Sequence, residues 1–283
     1  GMTVLFGGMW IANISYWGFN QYIIQRALAA KSVKEVQWGL SFAAFLKLLI
    51  PLVVVLPGIA AFALDANISR YDEAYPWLLS NIVPTGLKGL AFAALIAAAL
   101  SSLSSMMNST ATIFTMDIYK SHLKKDANEK QLVAVGRLVS LVAIIIAVAV
   151  AEPLLGGEEQ IFQFIQKYTG YVSPGIVVLF VFGLFWKKAT SNAALATAIA
   201  SVPFSIIVDL TFPAMPFLDQ MGLVFLLLSA LIVIYSIIEN NMKKRTPENF
   251  VRLERGMFTT DAIFNVSALF ILFVTAAIYI VFW

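Results

Sequence analysis

The chain has 283 residues, of which 60% are hydrophobic and only 12% charged, about half the charged share of roughly 25% in soluble domains. This composition excludes an ordinary soluble fold, because no core of this size could hide so much apolar surface. The absence of cysteine excludes disulfides, thiolate catalysis and zinc–thiolate sites. A formal charge of +3 is small and does not indicate a nucleic-acid partner.

The apolar residues come in blocks of about 20, the length that crosses a bilayer core as a helix. Hydrocarbon offers no hydrogen-bonding partner, and the blocks lack the alternation of barrel strands, so the backbone must be satisfied within helices. The sequence therefore predicts an all-α polytopic protein embedded in a lipid bilayer. Eight transmembrane helices are predicted, at 3–27, 35–63, 87–119, 130–151, 159–186, 191–211, 216–239 and 259–283.

Basic residues predict the orientation of these helices, because cytoplasmic loops are enriched in Lys and Arg. Of the 19 basic residues, 15 fall in alternate loops or beside them. They are Arg26, Lys31, Lys34, Lys120, Lys124, Lys125, Lys130, Arg137, Lys187, Lys188, Lys243, Lys244, Arg245, Arg252 and Arg255. The opposite loops hold Arg70 and Lys88 together with acids such as Asp65, Glu158 and Glu159. This alternation predicts that both termini are extracytoplasmic.

The N-terminal segment has neither the basic region nor the small-residue cleavage site of a signal peptide, so 3–27 is predicted to remain a helix. Because the chain starts almost directly inside that helix, we expect a preceding part of the protein to be missing. The loop 65–86 is long enough to form a short helix, which we predict to lie over the outer face.

A lysine near the middle of the second predicted helix does not belong in lipid. Lys47 lies too far from either end to reach the bilayer surface easily, and a lysine at mid-bilayer costs roughly 2.5–3.5 kcal/mol on insertion scales. Two interpretations stay open. Lys47 either pairs with a buried acid or carbonyls, or faces a water-filled substrate cavity, and the second interpretation is favoured.

The first predicted helix carries polar residues on one face, at the spacing of successive helical turns. Asn13, Tyr16 and Asn20 share that face, and three glycines, Gly7, Gly8 and Gly18, are points where the helix can unwind. Interrupted helices expose backbone groups to substrates in many secondary transporters. The same side chains are equally consistent with ordinary contacts between helices.

The third predicted helix contains a stripe of small and hydroxyl-bearing residues. Ala98, Ser101 and Ser102 are spaced to form one patch. Hard cations bind hydroxyl and carbonyl oxygens, so the patch is a candidate sodium site. Close helix packing explains such stripes as well and is favoured on this pattern alone.

The fifth predicted helix combines polar side chains with a proline. Gln166 and Lys167 precede Ser173-Pro174-Gly175, where the proline removes a backbone hydrogen bond and kinks the helix. The kink indicates either a gate or a simple bend. No nucleotide-binding loop and no Ser-His-Asp arrangement occurs along the sequence, so neither an enzyme nor an ATP-driven pump is predicted.

Several stretches are specific enough to suggest a family. The longest, residues 13–31, begins Asn-Ile-Ser-Tyr-Trp-Gly-Phe-Asn-Gln. The others are residues 92–95 leading to 101–103, residues 108–119, Tyr-Thr-Gly at 168–170 with Ser-Pro-Gly at 173–175, and Gly-Leu-Phe-Trp-Lys-Lys at 183–188. In these stretches the sequence resembles the sodium/solute symporter family, in particular its sugar-transporting branch, and the resemblance extends over nearly the whole chain.

The resemblance implies a LeuT-type fold of two inverted five-helix repeats. Residues 1–186 would then be the second repeat, starting at the sixth core helix, and 187–283 would add three peripheral helices. The implied activity is sodium-coupled sugar symport by alternating access in a bacterial inner membrane, by a longer transporter whose first repeat is missing here. Two alternatives stay open: transport of myo-inositol or another polyol, and an inactive truncated fragment.

The resemblance also assigns roles to individual residues. Asn13, Lys47 and Gln166 correspond to side chains that hydrogen-bond sugar hydroxyls, and Tyr16 corresponds to the aromatic ring that stacks on the sugar as an inner gate. The expected substrate is a sugar such as galactose or glucose.

The coupling ion implied by the resemblance is Na+. Ala98 would contribute its backbone carbonyl, and Ser101 and Ser102 their hydroxyls, as the share of the sodium site that lies in the second repeat.

Overall fold

The computed structural model describes residues 2–155, 161–243 and 254–282, and every regular element in these ranges is helical. The α-helices are α1 Met2–Val4, α2 Trp10–Gly18, α3 Gln21–Leu28, α4 Val33–Lys47, α5 Ile50–Ala63, α6 Ala74–Asn81, α7 Thr85–Thr112, α8 Glu129–Leu155, α9 Ile161–Gly170, α10 Ser173–Phe185, α11 Ser191–Thr211, α12 Phe217–Lys243 and α13 Ala262–Phe282. Two π-helices, Leu5–Met9 and Ile113–Leu123, and two short 3-10 helices, Tyr71–Glu73 and Arg255–Phe258, join them. Of the charged residues that predict orientation, Glu158, Glu159, Lys244, Arg245 and Arg252 lie outside the described ranges.

Seven of the eight predicted spans are helices long and apolar enough to cross a membrane. They are Val33–Ala63, Thr85–Leu123, Glu129–Glu152, Ile161–Phe185, Ser191–Thr211, Phe217–Met242 and Ala262–Val281. Their large apolar side chains are widely exposed, as expected where lipid is the solvent. The prediction of an all-α integral membrane protein is confirmed.

The first predicted span, 3–27, is interrupted rather than continuous. Gly7 has non-helical backbone angles (φ −75°, ψ −106°), and α2 ends at Gly18, with Phe19 at φ −127° and ψ 1° before α3 begins. Close packing explains the glycine at position 8, because a Cβ there would lie 2.8 Å from Met221 Cβ. The segment is therefore a series of short helices.

The second predicted span, 35–63, is also divided. Helix α4 ends at Lys47, and Leu48 and Leu49 form a tight turn before α5. Pro51 explains the division, because it has no N–H to donate to the Lys47 carbonyl four residues earlier. Lys47 thus lies at a helix break, where the sequence had predicted the middle of a continuous helix.

The loop 65–86 contains the short helix that the sequence predicts. It is α6, Ala74–Asn81, preceded by the 3-10 helix Tyr71–Glu73.

The chain divides into two compact units. Unit 1 comprises Gly1–Ile24 and Phe162–Thr259, and unit 2 comprises Gln25–Ile161 and Thr260–Trp283. The division predicted from the sequence, 1–186 and 187–283, concerns an inverted repeat and stays a prediction.

The core of unit 1 lies where α10, α11 and α12 pack together. Val178, Ala193, Val208, Val224, Leu228 and Ile232 form one buried cluster. A second cluster joins α2 and α10 to α12 through Ile11, Val177 and Met221. At the α10–α11 contact, a Cβ on Gly175 would lie 2.6 Å from Ser201 Cβ, so these helices approach as closely as glycine allows.

In unit 2, α4 meets α13 and α7 packs against α8. Asp261 precedes α13 and accepts a hydrogen bond from Trp38 Nε1 at 3.2 Å. Lys34 Nζ lies 3.6 Å from the other carboxylate oxygen, and the Asp261 backbone N–H donates to Gln37 at 2.8 Å. Polar contacts at its N-terminal end therefore attach the last helix to α4.

Candidate functional site

Helix α2 presents two of the predicted sugar ligands on its exposed face. Ile11 and Ser15 are buried on the opposite face, which turns Asn13 and Tyr16 outward. The Asn13 amide donates to the Met9 carbonyl at 2.8 Å. This bond holds the Asn13 side chain along its own helix.

Tyr16 is held by aromatic neighbours. Its hydroxyl accepts a hydrogen bond from the Tyr22 hydroxyl at 2.5 Å, and its ring meets the Trp17 ring edge-on at 5.0 Å between centroids. Tyr16 is 41% exposed as a whole residue, so part of it stays accessible. Because the break after Gly18 brings Tyr22 back towards Tyr16, the interrupted helix itself positions this ring.

Gln166 is the third predicted sugar ligand in unit 1. It lies exposed on α9, directly before Lys167, which forms an ion pair with Asp209 of α11 at 2.9 Å. Tyr171 donates to the same Asp209 oxygen at 2.7 Å.

Lys47, the fourth predicted sugar ligand, lies in unit 2 at the end of α4. Its side chain is exposed, and the span that contains it is otherwise strongly apolar. The helix breaks after Lys47 because residue 51 is proline, which cannot donate the backbone hydrogen bond of a continuous helix. A helix break and a cationic side chain therefore occur together inside a membrane-length segment.

The predicted sodium ligands share a face of α7. Ala98, Ser101 and Ser102 lie exposed in the middle of this 28-residue helix. One turn further on, Ser105 Oγ donates to the Ser101 carbonyl at 3.1 Å. The Ser101 carbonyl is therefore already bonded, although the three residues of the stripe are themselves exposed.

A polar cluster beside this stripe was not predicted from the sequence. Arg26 Nη2 donates to Ser105 Oγ at 2.6 Å, Gln25 Nε2 donates to the Ser105 carbonyl at 3.3 Å, and Asn108 Nδ2 donates to Gln25 Oε1 at 3.1 Å. The sequence places Arg26 in a cytoplasmic loop, and no local pattern links it to a serine 79 residues away.

Asp209 was also missed, although a signal was available. It is an acid inside an apolar membrane-length helix, and ionisable residues at such positions are rare and usually paired or functional. Lys167, in the preceding span, is its partner of opposite charge.

Discontinuous helices that carry polar side chains at membrane depth define the class of this protein. It is a polytopic α-helical membrane protein with the broken helices typical of secondary transporters. The family model for the sodium:solute symporter family matches residues 1–201, and the chain belongs to this family. The predicted family is therefore confirmed.

Known proteins resemble the chain over different lengths. The sodium/glucose cotransporter of Vibrio parahaemolyticus is 48% identical over 300 aligned residues, covering 100% of this chain and 54% of that protein. The human sodium/myo-inositol cotransporter 2 is 38% identical over 211 residues, covering 68% of this chain and 31% of that protein. The chain thus spans about half the length, or less, of these relatives.

A solved structure of a Na+-coupled sialic acid symporter, in a substrate-bound outward-open state, also matches. It has a TM-score of 0.62 and 26% identity, covering 81% of this chain and 48% of that one. The predicted LeuT-type fold class is confirmed by this likeness.

Proposed function

We propose that this chain is the sugar- and sodium-binding second half of a sodium-coupled sugar symporter that works by alternating access. The observation that carries the proposal is the 48% identity to a sodium/glucose cotransporter along the whole chain. In this assignment, residues 1–186 form the second inverted repeat and 187–283 three peripheral helices. A first repeat, outside this sequence, completes the transporter.

The proposed sugar ligands match the chemistry of a neutral polyhydroxyl compound. Asn13 and Gln166 carry amides that both donate and accept hydrogen bonds, and the Lys47 ammonium donates to hydroxyl oxygens. Tyr16 is partly exposed, and its aromatic ring has apolar faces on which a sugar ring can stack. The exposure of all four side chains supports this role.

The proposed sodium ligands are neutral oxygens, which suit a hard monovalent cation. Ala98 would contribute its carbonyl and the two serines, Ser101 and Ser102, their hydroxyls. The exposure of these three residues on α7 supports the assignment. With Na+ as the coupling ion, the gradient across the membrane supplies the energy for sugar uptake.

A cyclic polyol is a second candidate substrate. Several mammalian relatives named sodium/myo-inositol cotransporter 2 are 34–38% identical over 68% or more of this chain. Inositol and hexoses present similar rings of hydroxyls, so the same amides and ammonium can bind either. The higher identity to the Vibrio glucose cotransporter favours a hexose.

The proposed location is the bacterial inner membrane, with both ends of this chain on the extracytoplasmic side. The asymmetric distribution of Lys and Arg supports this orientation. Single cysteines introduced at Lys88 and Lys125 test it, because the chain has no native cysteine. An impermeant thiol reagent added outside should label the first and not the second.

Uptake into proteoliposomes tests the function directly. In the complete transporter that contains this chain, an inward sodium gradient should drive accumulation of radiolabelled galactose or glucose, and an equal potassium gradient should not. Uptake of myo-inositol in preference to both hexoses would establish the second candidate. Sugar uptake that does not depend on the sodium gradient would contradict the proposal.

A further inference from the structure

The Lys167–Asp209 pair joins two membrane-length helices of unit 1. Lys167 Nζ lies 2.9 Å from Asp209 Oδ2, and the Tyr171 hydroxyl donates to the same oxygen at 2.7 Å. A single ion in an apolar environment is costly, whereas a paired and hydrogen-bonded one is tolerated. Separation of this pair in an apolar environment would therefore be unfavourable.

A few residues after Lys167, the membrane-length span that carries it is broken. Helix α9 ends at Gly170 and α10 begins at Ser173, because Pro174 has no N–H for the Gly170 carbonyl. The Tyr171 carbonyl instead accepts hydrogen bonds from Ser201 Oγ at 3.2 Å and Ser205 Oγ at 3.0 Å. Two hydroxyls of α11 thus attach the break to that helix.

The two halves of the span differ in burial. Ser173, Pro174, Gly175, Val177 and Val178 of α10 are buried in the core, whereas in α9 only Gly170, at its end, is buried among the described residues. Among the described residues, α9 therefore contributes little to the core. The Lys167–Asp209 pair is a contact that joins α9 to α11 on the other side of the break from that core.

We propose that Lys167 and Asp209 are positioning residues, which hold α9 against α11 and thereby orient Gln166 for sugar binding. Gln166 immediately precedes Lys167 on α9, so fixing the lysine fixes the direction of the glutamine. This inference rests on the proposed function for the role of Gln166. The attachment of α9 by the pair is independent of that function.

The attachment is tested by a distance measurement on the complete transporter. Because this chain has no cysteine, spin labels can be placed at cysteines replacing Phe162 and Ile199, which are 71% and 67% exposed. If any cysteine lies elsewhere in the protein, it is first replaced by serine. The parent should give one narrow distance distribution. Asp209→Asn should broaden it, and Asp209→Glu, which keeps the charge, should restore most of the narrow distribution.

Glu239→Gln is the matched control for the distance measurement. Glu239 accepts hydrogen bonds from Thr190 and Asn192 at the opposite end of α11, so its neutralisation should leave the α9 distance unchanged. A distribution in Asp209→Asn that stays as narrow as in the parent would overturn the attachment.

Transport kinetics test the positioning. Asp209→Asn should raise KM for the sugar about fivefold, the effect of one lost hydrogen bond, with a smaller change in kcat. In a Gln166→Ala background, Asp209→Asn should change KM little, because both substitutions remove the same contact between Gln166 and the sugar. Full additivity of the two effects would overturn the positioning role. A different outcome would reject the proposed function instead: Asp209→Asn broadens the distance distribution, but the parent shows no sodium-driven sugar uptake.

Discussion

Lys47, Asn13 and Tyr16 all lie near points where a membrane helix is interrupted. Lys47 ends α4 at a proline-induced break, and Asn13 and Tyr16 lie on α2, between Gly7 and the break after Gly18. In hydrocarbon an interrupted backbone is tolerated only where protein or a water-filled cavity satisfies its polar groups. These residues therefore belong to the part of each span that is least compatible with lipid, which is where a polar substrate can bind.

Replacing Lys47 tests whether its ammonium binds the sugar. In the complete transporter, Lys47→Ala should lower sugar affinity by about tenfold or more, because a charged donor to hydroxyls is lost. The sodium concentration for half-maximal uptake, measured at saturating sugar, should change little. Lys88→Ala, in the first turn of α7, is the matched control. Loss of folded protein in Lys47→Ala, without an affinity change in the remainder, would indicate a structural lysine.

Replacing Ser101 or Ser102 distinguishes an ion site from helix packing. Alanine removes one oxygen but keeps the side chain small, so a packing contact should tolerate it. A sodium site should lose affinity, raising the sodium concentration for half-maximal uptake at least severalfold. Sugar affinity should then fall at low sodium and recover at high sodium, because coupling between two ligands is reciprocal.

The hydroxyl of Thr112 provides the control for these serines. It lies on the same helix and donates to the Asn108 carbonyl at 2.7 Å, so Thr112→Ala removes a hydroxyl outside the stripe. Its sodium dependence should match that of the parent. Unchanged sodium dependence in both serine variants, at normal expression, would assign the stripe to packing.

At the scale of elements, glycine decides how closely α10 approaches α11. Gly175 faces Ser201, whereas Gly183 on the same helix has no neighbour within 4 Å of a Cβ built there. One helix thus contains a glycine required by packing and a glycine that packing does not require.

Alanine at these two positions should have opposite effects. Gly175→Ala should destabilise the protein by about 1–3 kcal/mol, because the new methyl group overlaps Ser201 and forces the helices apart. Gly183→Ala should be neutral or stabilising by up to about 1 kcal/mol, since alanine is the better helix former. Thermal unfolding in detergent measures both. Equal destabilisation by the two substitutions would contradict the close contact at Gly175.

The attachment of α13 to α4 should depend on pH. The hydrogen bond from Trp38, followed by the charge of Lys34, holds the pKa of Asp261 below its ordinary value of 3.8. A carboxyl with a lowered folded-state pKa stabilises the fold above its unfolded pKa, and this contribution is lost as pH falls through the folded value. The effect should be modest, because the pair is exposed to solvent.

Spin labels at Phe42 and Val266, both exposed side chains of α4 and α13, provide the measurement for this contact. The distribution of distances between the two labels should broaden when the pH falls below 3.8, the ordinary pKa of Asp261. It should become narrow again on neutralisation. Asp261→Asn should give the same distribution at both pH values. A parent distance that is insensitive to acid would show that the other contacts between α4 and α13 suffice.

At the scale of the whole molecule, the chain spans about half of the transporter relatives it matches. In transporters built from inverted repeats, the substrate site lies at mid-membrane between the repeats. As the proposed second repeat, the chain would therefore provide only part of each proposed site, for the sugar and for the ion.

The 283-residue chain alone should not concentrate sugar. Proteoliposomes containing only this chain should show no sodium-dependent accumulation, while those with the complete transporter accumulate sugar from the same solution. Correct insertion of the isolated chain, checked by thiol labelling from each side, is the necessary control. Sodium-driven accumulation by the isolated chain would contradict the proposed division into repeats.

The sequence by itself determined which segments are long and apolar enough to cross a membrane. Backbone groups must be satisfied within each helix in hydrocarbon, so runs of apolar residues locate the seven membrane-length helices without reference to their neighbours. The glycines at positions 7 and 18 also indicated where the first span can unwind, and Pro174 indicated the kink in the fifth span. The polar residues proposed as ligands could also be identified from the sequence, because each lies in a predominantly apolar span.

Only the tertiary structure decided which side chains meet. The pairing of Lys167 with Asp209, the contact of Arg26 with Ser105 and the close approach of Gly175 to Ser201 link residues far apart in sequence. Apolar helices present similar surfaces, so hydropathy does not encode which helices become neighbours. Those contacts depend on shape and on hydrogen-bond geometry between helices, which exist only once the spans have packed.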